Sequence, residues 1–128
     1  MNKKNIFLGL RIIVAAILIQ TLRFKFTAHP DSVYIFETLG IETFGRIGIG
    51  IIELITGALL LFSKSAPIGG ILSIGLMAGA IFSHLTQLGI EVKGDGGVLF
   101  YTAVITFLLS AVITFNYKKE LPIVGQYL

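Results

Sequence analysis

The chain has no cysteine. This excludes disulfides, thiol catalysis and cysteine-held metal or iron–sulfur centres. Charge is also scarce. Asp, Glu, Lys and Arg make up 13% of 128 residues, hydrophobic residues make up 55%, and the mean hydropathy is +0.91. A soluble domain needs far more polar surface to cover its core. With so few polar residues, the net charge of +3 reads as membrane topology, and no nucleic-acid partner is expected. No Gly-rich nucleotide loop and no pair of histidines at metal spacing is present. The two histidines are His29 and His84. His29 falls in the loop after the first apolar segment, so bis-histidine haem ligation across a membrane is not expected, nor is a metal site.

What the chain does have is long apolar runs. About 20 apolar residues are needed to cross a bilayer as a helix. Four segments qualify, at 5–24, 44–62, 66–89 and 97–116. In lipid they must be helices, because single strands leave backbone groups unpaired. The first could be mistaken for a signal peptide, but it lacks a small-x-small site, Arg11 interrupts it, and three further apolar segments follow. It reads as a retained span. Lys64 to Pro67 marks one tight turn, and Gly94, Asp95, Gly96 and Gly97 mark the next break. The expected fold is all-α: an integral membrane four-helix bundle formed by residues 1–128 as a single domain.

Positive residues set the orientation. Lys3, Lys4, Arg11, Lys64, Lys118 and Lys119 fall on one side. The other side carries Arg23, Lys25, Arg46 and Lys93 mixed with Asp31, Glu37, Glu42, Glu91 and Asp95. Both termini are therefore expected in the cytoplasm. The first outer loop is long enough to fold, and a short helix is expected over about 32–39, capped by Asp31, ended by Gly40, and apolar along Val33, Ile35, Phe36 and Leu39.

Within the spans the polar residues are few. Gly50, Glu53 and Gly57 share one face of the second, and glycines let helices approach, so Glu53 faces protein. Arg46 lies on nearly the same face, roughly 10 Å away along the axis. Both side chains lean toward the helix N-terminus, so a partner for Glu53 on another helix is more plausible than Arg46. Small and polar residues also line up at Gly69, Ser73, Leu76, Ala80, Ser83 and Gln87 in the third span. Similar rows are Gly9, Ile13, Ala16, Gln20 and Arg23 in the first, and Thr102, Thr106, Ser110 and Thr114 in the fourth. Gln20, Arg23, Arg46, His84 and Gln87 fall in the outer half, and Glu53 near the midplane. These groups are expected to converge on one outward chamber. Arg11 is expected to snorkel to the inner headgroups, and Asp95 to make a turn.

An intramembrane charge costs about 2.5–3.5 kcal/mol on insertion scales, which makes Glu53 a functional-site candidate by default. Two readings stand side by side. Either Glu53 forms a register-fixing bond with Arg46, Arg23 or His84, or it serves a ligand, proton or quinone site together with His84. His84 carries the same pair of readings.

These residues resemble the DoxX-like family of small bacterial four-span membrane proteins, over about residues 8 to 115. The resemblance is carried by Phe24-Lys25-Phe26, by Gly40, and by Glu53-Leu54 with Gly57-Ala58-Leu59-Leu60-Leu61. It also rests on Gly69-Gly70 and on Ala80 to His84. The C-terminal NYKKELPIVGQYL departs from the Gly-rich, aspartate-bearing end common in that family. The resemblance implies a four-helix bundle in the bacterial cytoplasmic (inner) membrane. It also implies an association with quinone-linked redox, as in a subunit of thiosulfate:quinone oxidoreductase, or with oxidative-stress complexes. Lys25, Glu53 and His84 are the matching positions carried over.

The expected ligand-binding set is therefore Glu53, His84, Gln87, Arg46, Gln20, Arg23 and Lys25, with quinone as the possible cofactor. The expected role is a quinone-linked or redox-associated membrane subunit, in contact with the lipid bilayer and either a redox partner or a second copy. A non-enzymatic lipid or small-molecule binder, or an assembly factor, is the alternative. Transport is disfavoured, since the two halves show no clear repeat.

Overall fold

The structure is a computed structural model that describes residues 2–128. Six α-helices form, with no strand among the described residues. Helix α1 (Lys3–Gln20) starts at Asn2, whose side chain accepts from the Asn5 N–H at 2.9 Å. It pauses for one residue at Thr21 and resumes as α2 (Leu22–Phe26). Thr21 Oγ1 donates back to the Leu18 carbonyl at 2.8 Å.

The helix expected in the first long loop is α3 (Pro30–Thr38). Its cap is His29, whose Nδ1 accepts from the Asp31 N–H at 3.1 Å; Asp31, the expected cap, sits in the first turn instead. Pro30 explains the earlier start, because its fixed φ suits a first helical position. Gly40, at φ +77°, ends the element as expected.

Helices α4 (Phe44–Leu60), α5 (Ala66–Ser83) and α6 (Val98–Tyr117) complete the set. Among the described residues three stretches are long and apolar enough to cross a membrane: Lys3–Phe26, Ala66–Leu88 and Val98–Glu120. Helix α4 has 17 residues. At 1.5 Å per residue it spans roughly 26 Å, short of the ~30 Å hydrocarbon core. Two side chains help to end it early: Ser65 Oγ donates to the Leu59 carbonyl at 2.7 Å, and Arg11 Nη1 to the Leu60 carbonyl at 3.1 Å. Arg11 therefore does not snorkel. It is 6% exposed, placed where the helix dipole is negative, with its guanidinium 5.3 Å from the Tyr117 ring centre.

The four long helices pack in a ring, with α1 and α5 each touching both α4 and α6. The core is Val14, Ala15 and Leu18 from α1, Leu60 from α4, Ala66 and Met77 from α5, and Ala103 and Ile113 from α6. On α1 the packed face is Arg11, Val14, Ala15, Leu18 and Leu22. The expected row is turned away from it: Ile13, Ala16, Gln20 and Arg23 are exposed, and a side chain at Gly9 would meet nothing. Ile12 and Ile13 face outward while Ala15 and Arg11 are buried, so the shape of the neighbouring helices and not residue type selects the inner face.

Between α5 and α6 the expected small-residue contact does form. Ser73 Oγ and Ser110 Oγ are 2.7 Å apart, and a Cβ on Gly70 would run into Thr114 Oγ1. After Ser83 the helix widens by one residue over His84–Leu88, so that the Gly89 N–H reaches the His84 carbonyl at 2.8 Å. The extra residue shifts the helical phase. Gln87 leaves the row and becomes exposed, while His84 stays buried.

Candidate functional site

A cavity of about 950 Å³ opens between α1, α2, α3 and α4 on one side and α5 and α6 on the other. Its walls are mainly aliphatic, including Ile17, Ile49, Ile52, Leu72, Leu76 and Leu99. Polar side chains enter from two sides: Gln20, Thr21, Lys25 and Glu53 from one, and Ser83, His84, Asp95 and Thr102 from the other. Asp31 on α3 and Lys93 in the α5–α6 loop form part of the rim, 3.3 Å apart as an ion pair.

The centre of the first side is an ion pair between Lys25 and Glu53. Glycines at 50 and 57 bring α4 against Phe26 and Ile19, which places Glu53 under the α1–α2 junction. The carboxylate is 4% exposed. Lys25 Nζ lies 2.8 Å from Glu53 Oε1 and donates to Thr21 Oγ1 at 3.1 Å. Thr21 has one hydroxyl hydrogen, and the Leu18 carbonyl holds it at 2.8 Å. Its two 3.4 Å approaches to the Glu53 oxygens are therefore contacts rather than full hydrogen bonds. Oε1 faces the ammonium, and Oε2 is the less satisfied oxygen.

None of the three partners named for Glu53 in the sequence reading holds it. Arg46 Nε instead pairs with Glu42, one turn earlier, at 2.7 and 3.1 Å. Arg46 Nη1 donates to the Lys25 carbonyl. Arg46 thus supports the site from behind: it fixes the last turn of α2 and hence the start of the Lys25 side chain. Arg23 is exposed, with its guanidinium 5.2 Å from the Phe24 ring centre. Arg23, Arg46 and Gln87 do not line the cavity; Gln20, Lys25, Glu53 and His84 do. Gln20 is exposed and donates to the Ile17 carbonyl at 3.2 Å.

On the opposite side the widened turn aims the buried His84 ring. Its Nδ1 is 2.8 Å from the Gly89 carbonyl. A carbonyl only accepts, so Nδ1 carries the hydrogen and Nε2 keeps its lone pair in the neutral ring. The ring stacks edge-on against Phe100 at 5.6 Å.

Asp95 organises the loop behind it. Its carboxylate accepts from the N–H groups of Val92 at 3.0 Å, Gly97 at 2.8 Å and Leu99 at 3.2 Å. Slight desolvation of Asp95 works against ionisation, but these backbone donors and the nearby His84 outweigh it and hold the carboxyl below its usual value. The expected turn role of Asp95 is present. Its place on the cavity wall and its proximity to His84 went unread in the sequence, as did Thr21. The one available signal for Thr21 was its position four residues before Lys25 on a helix.

Chemically, the cavity offers an ammonium with one further hydrogen, a carboxylate oxygen, and an imidazole nitrogen with a free lone pair, all set in aliphatic walls. No cluster of three or more His, Asp or Glu suited to a metal ion occurs among the described residues.

No curated protein and no solved structure matches the chain at a significant level. One family, DoxX, matches residues 6–86, well over half of the length. That segment runs from the first turns of α1 into the widened turn that holds His84, so it contains Lys25, Glu53 and His84 together. It stops short of Asp95 and α6. The chain is a membrane protein with long apolar helices and belongs to the DoxX family.

Proposed function

We propose that this is a four-span protein of the bacterial cytoplasmic membrane, with both termini in the cytoplasm, whose cavity binds a long-tailed amphiphile of the quinone class. In this reading it serves as the membrane subunit of a redox system. Helix α4 is the fourth span: Leu61 and Phe62 extend its apolar stretch to the interface.

The observation that supports this most is the make-up of the cavity. Convergent polar groups in a large apolar pocket mark a ligand site by default. Here they include three groups able to exchange or orient protons: Lys25, Glu53 and His84. The aliphatic walls suit an isoprenoid tail. His84 Nε2 accepts a proton from a ring hydroxyl, and the resulting imidazolium donates to a ring carbonyl. Electrons must pass to or from a partner protein or a bound cofactor, because these side chains carry none.

The test is equilibrium binding of a short-tailed benzoquinone and its quinol to the protein in mild detergent. Saturable binding is expected, weakened ten- to a hundred-fold by His84→Ala, as for loss of one charge-assisted hydrogen bond. A folded protein that binds neither form overturns the proposal.

A second reading has its own support. The walls accept an acyl chain as readily as an isoprenoid, and Lys25 already satisfies one oxygen of Glu53. A lipid-binding protein or an assembly factor would retain ordinary phospholipid here and ignore the quinone ring.

A further inference from the structure

At the opposite end from the cavity, a second depression of about 460 Å³ runs along the outer flank of the ring between α1 and α6. Phe7, Ala111, Val112 and Phe115 line it, with Lys3 and Asn116 at its polar end. Val112 and Phe115 are 47% and 71% exposed, so this flank has no protein cover among the described residues. Two ammonium groups sit over its aromatic rings. Lys3 Nζ is 5.9 Å from the centre of Phe7, and Lys118 Nζ is 4.2 Å from the centre of Phe115.

Both termini lie at this end, since Phe7 meets Tyr117 edge-on at 6.1 Å. The surrounding charge is one-sided. Lys3, Lys4, Lys118 and Lys119 gather here with Glu120 as the single acid on these two segments. At the other end Asp31, Glu37, Glu42, Glu91 and Asp95 offset the basic residues. An apolar groove whose nearest charges are the Lys3 and Lys118 ammonium groups, at an end where lysines outnumber the one glutamate, is complementary to one class of molecule, a lipid with an anionic head.

We infer that the α1–α6 groove is a binding site for an anionic phospholipid of the inner leaflet. Its phosphate rests between Lys3 and Lys118, and one acyl chain lies along Phe7, Val112 and Phe115. Asn116 supplies a side-chain amide to the ester region. The aromatic rings hold the two lysine stems in place, so the head group meets ammonium groups that are already ordered. The leaflet rests on the proposed orientation, with both termini in the cytoplasm; the site itself depends neither on the cavity nor on its proposed ligand.

The experiment is native mass spectrometry of the purified chain, released from mixed micelles that hold equal amounts of phosphatidylglycerol and phosphatidylcholine. The wild type is expected to retain one phosphatidylglycerol in clear preference to phosphatidylcholine. The double variant Lys3→Gln/Lys118→Gln is expected to bind it ten- to thirty-fold more weakly, following from two interfacial lysines. Lys4→Gln/Lys119→Gln removes the same charge away from the rings and is expected to lose less than threefold. Val112→Trp keeps every charge but fills the groove, and is expected to displace the lipid. Equal losses in the two lysine pairs would reduce the effect to diffuse surface charge and overturn the site. Equal retention of both lipids by the wild type, or unchanged binding in Val112→Trp, would overturn it as well.

Discussion

Lys25 and Glu53 each make the other tolerable in a low-dielectric site. Removing one partner leaves an uncompensated charge, and such losses cost about 3–5 kcal/mol in buried pairs. Glu53→Ala and Lys25→Ala are each expected to lower stability by about 3 kcal/mol, and the double variant to recover part of that loss. Thermal unfolding of all four proteins in detergent measures the coupling; strictly additive losses would mean that the pair is not formed. Asp95 gives a pH prediction of the opposite character, because it lies in a loop outside the helices. Its folded carboxyl titrates below its unfolded value. The stability it contributes is therefore complete above the ordinary aspartate range, near pH 4, and is lost as pH falls through the depressed folded value. Asp95→Asn keeps the side-chain shape and is expected to flatten this acid limb while costing about 1 kcal/mol near neutrality, because its amide nitrogen cannot accept the Leu99 N–H. An acid limb of unchanged steepness in Asp95→Asn would assign it to other carboxylates.

At the scale of elements, contact between α5 and α6 depends on Gly70. A methyl there would collide with Thr114 Oγ1 and meet the Ser110 carbonyl at 3.4 Å. Thr114 is held by its own bond to that carbonyl at 2.8 Å, so it has little room to turn aside. Gly70→Ala is expected to cost about 1–3 kcal/mol by forcing the two helices apart. Gly75→Ala, in the same helix with nothing within 4 Å, is expected to be neutral or mildly stabilising. Equal effects in a thermal melt would remove the close-packing account. The element scale is also where the sequence was readable to different depths. Glu53, Gly50 and Gly57 on one buried face followed from helical spacing alone. The threonine and serine row of α6 did too, since spacing by four fixes a face whatever the neighbours are. The inner face of α1 did not follow, because small residues and branched aliphatics compete for the same contact, and only the shape of the neighbouring helices decides between them. The widened turn at His84 was equally hidden: one extra residue in a turn leaves no mark in a hydrophobic pattern, yet it removes Gln87 from the row and aims His84 at Gly89. The pairing of Glu53 with Lys25 follows from the packed face of α1 and α2, which runs through Leu18 and Leu22 to Lys25, a face different from the expected row.

For the whole molecule, the helices place both termini and the α4–α5 turn at one end, with Lys3, Lys4, Lys64, Lys118 and Lys119, and the cavity rim with Asp31 and Lys93 at the other. In the proposed orientation, which follows the positive-inside rule, the lysine end faces the cytoplasm. Reporters fused at the C-terminus and inserted after Lys64 are expected to read cytoplasmic, and one inserted after Gly94 to read external. A different reading at Lys64 from that at the C-terminus would break the four-span topology. Lys25, Glu53 and His84 are proposed as a ligand site and not only as a structural clamp. The most direct measurement is mass spectrometry of small molecules that co-purify with the protein in mild detergent, together with its absorption spectrum, for wild type, Glu53→Gln and His84→Ala. A quinone-class molecule bound to the wild type and lost from both variants, with all three folded, is the predicted result. Ordinary lipid alone, in equal amount on all three, would contradict the claim and leave the Lys25–Glu53 pair as a register bond.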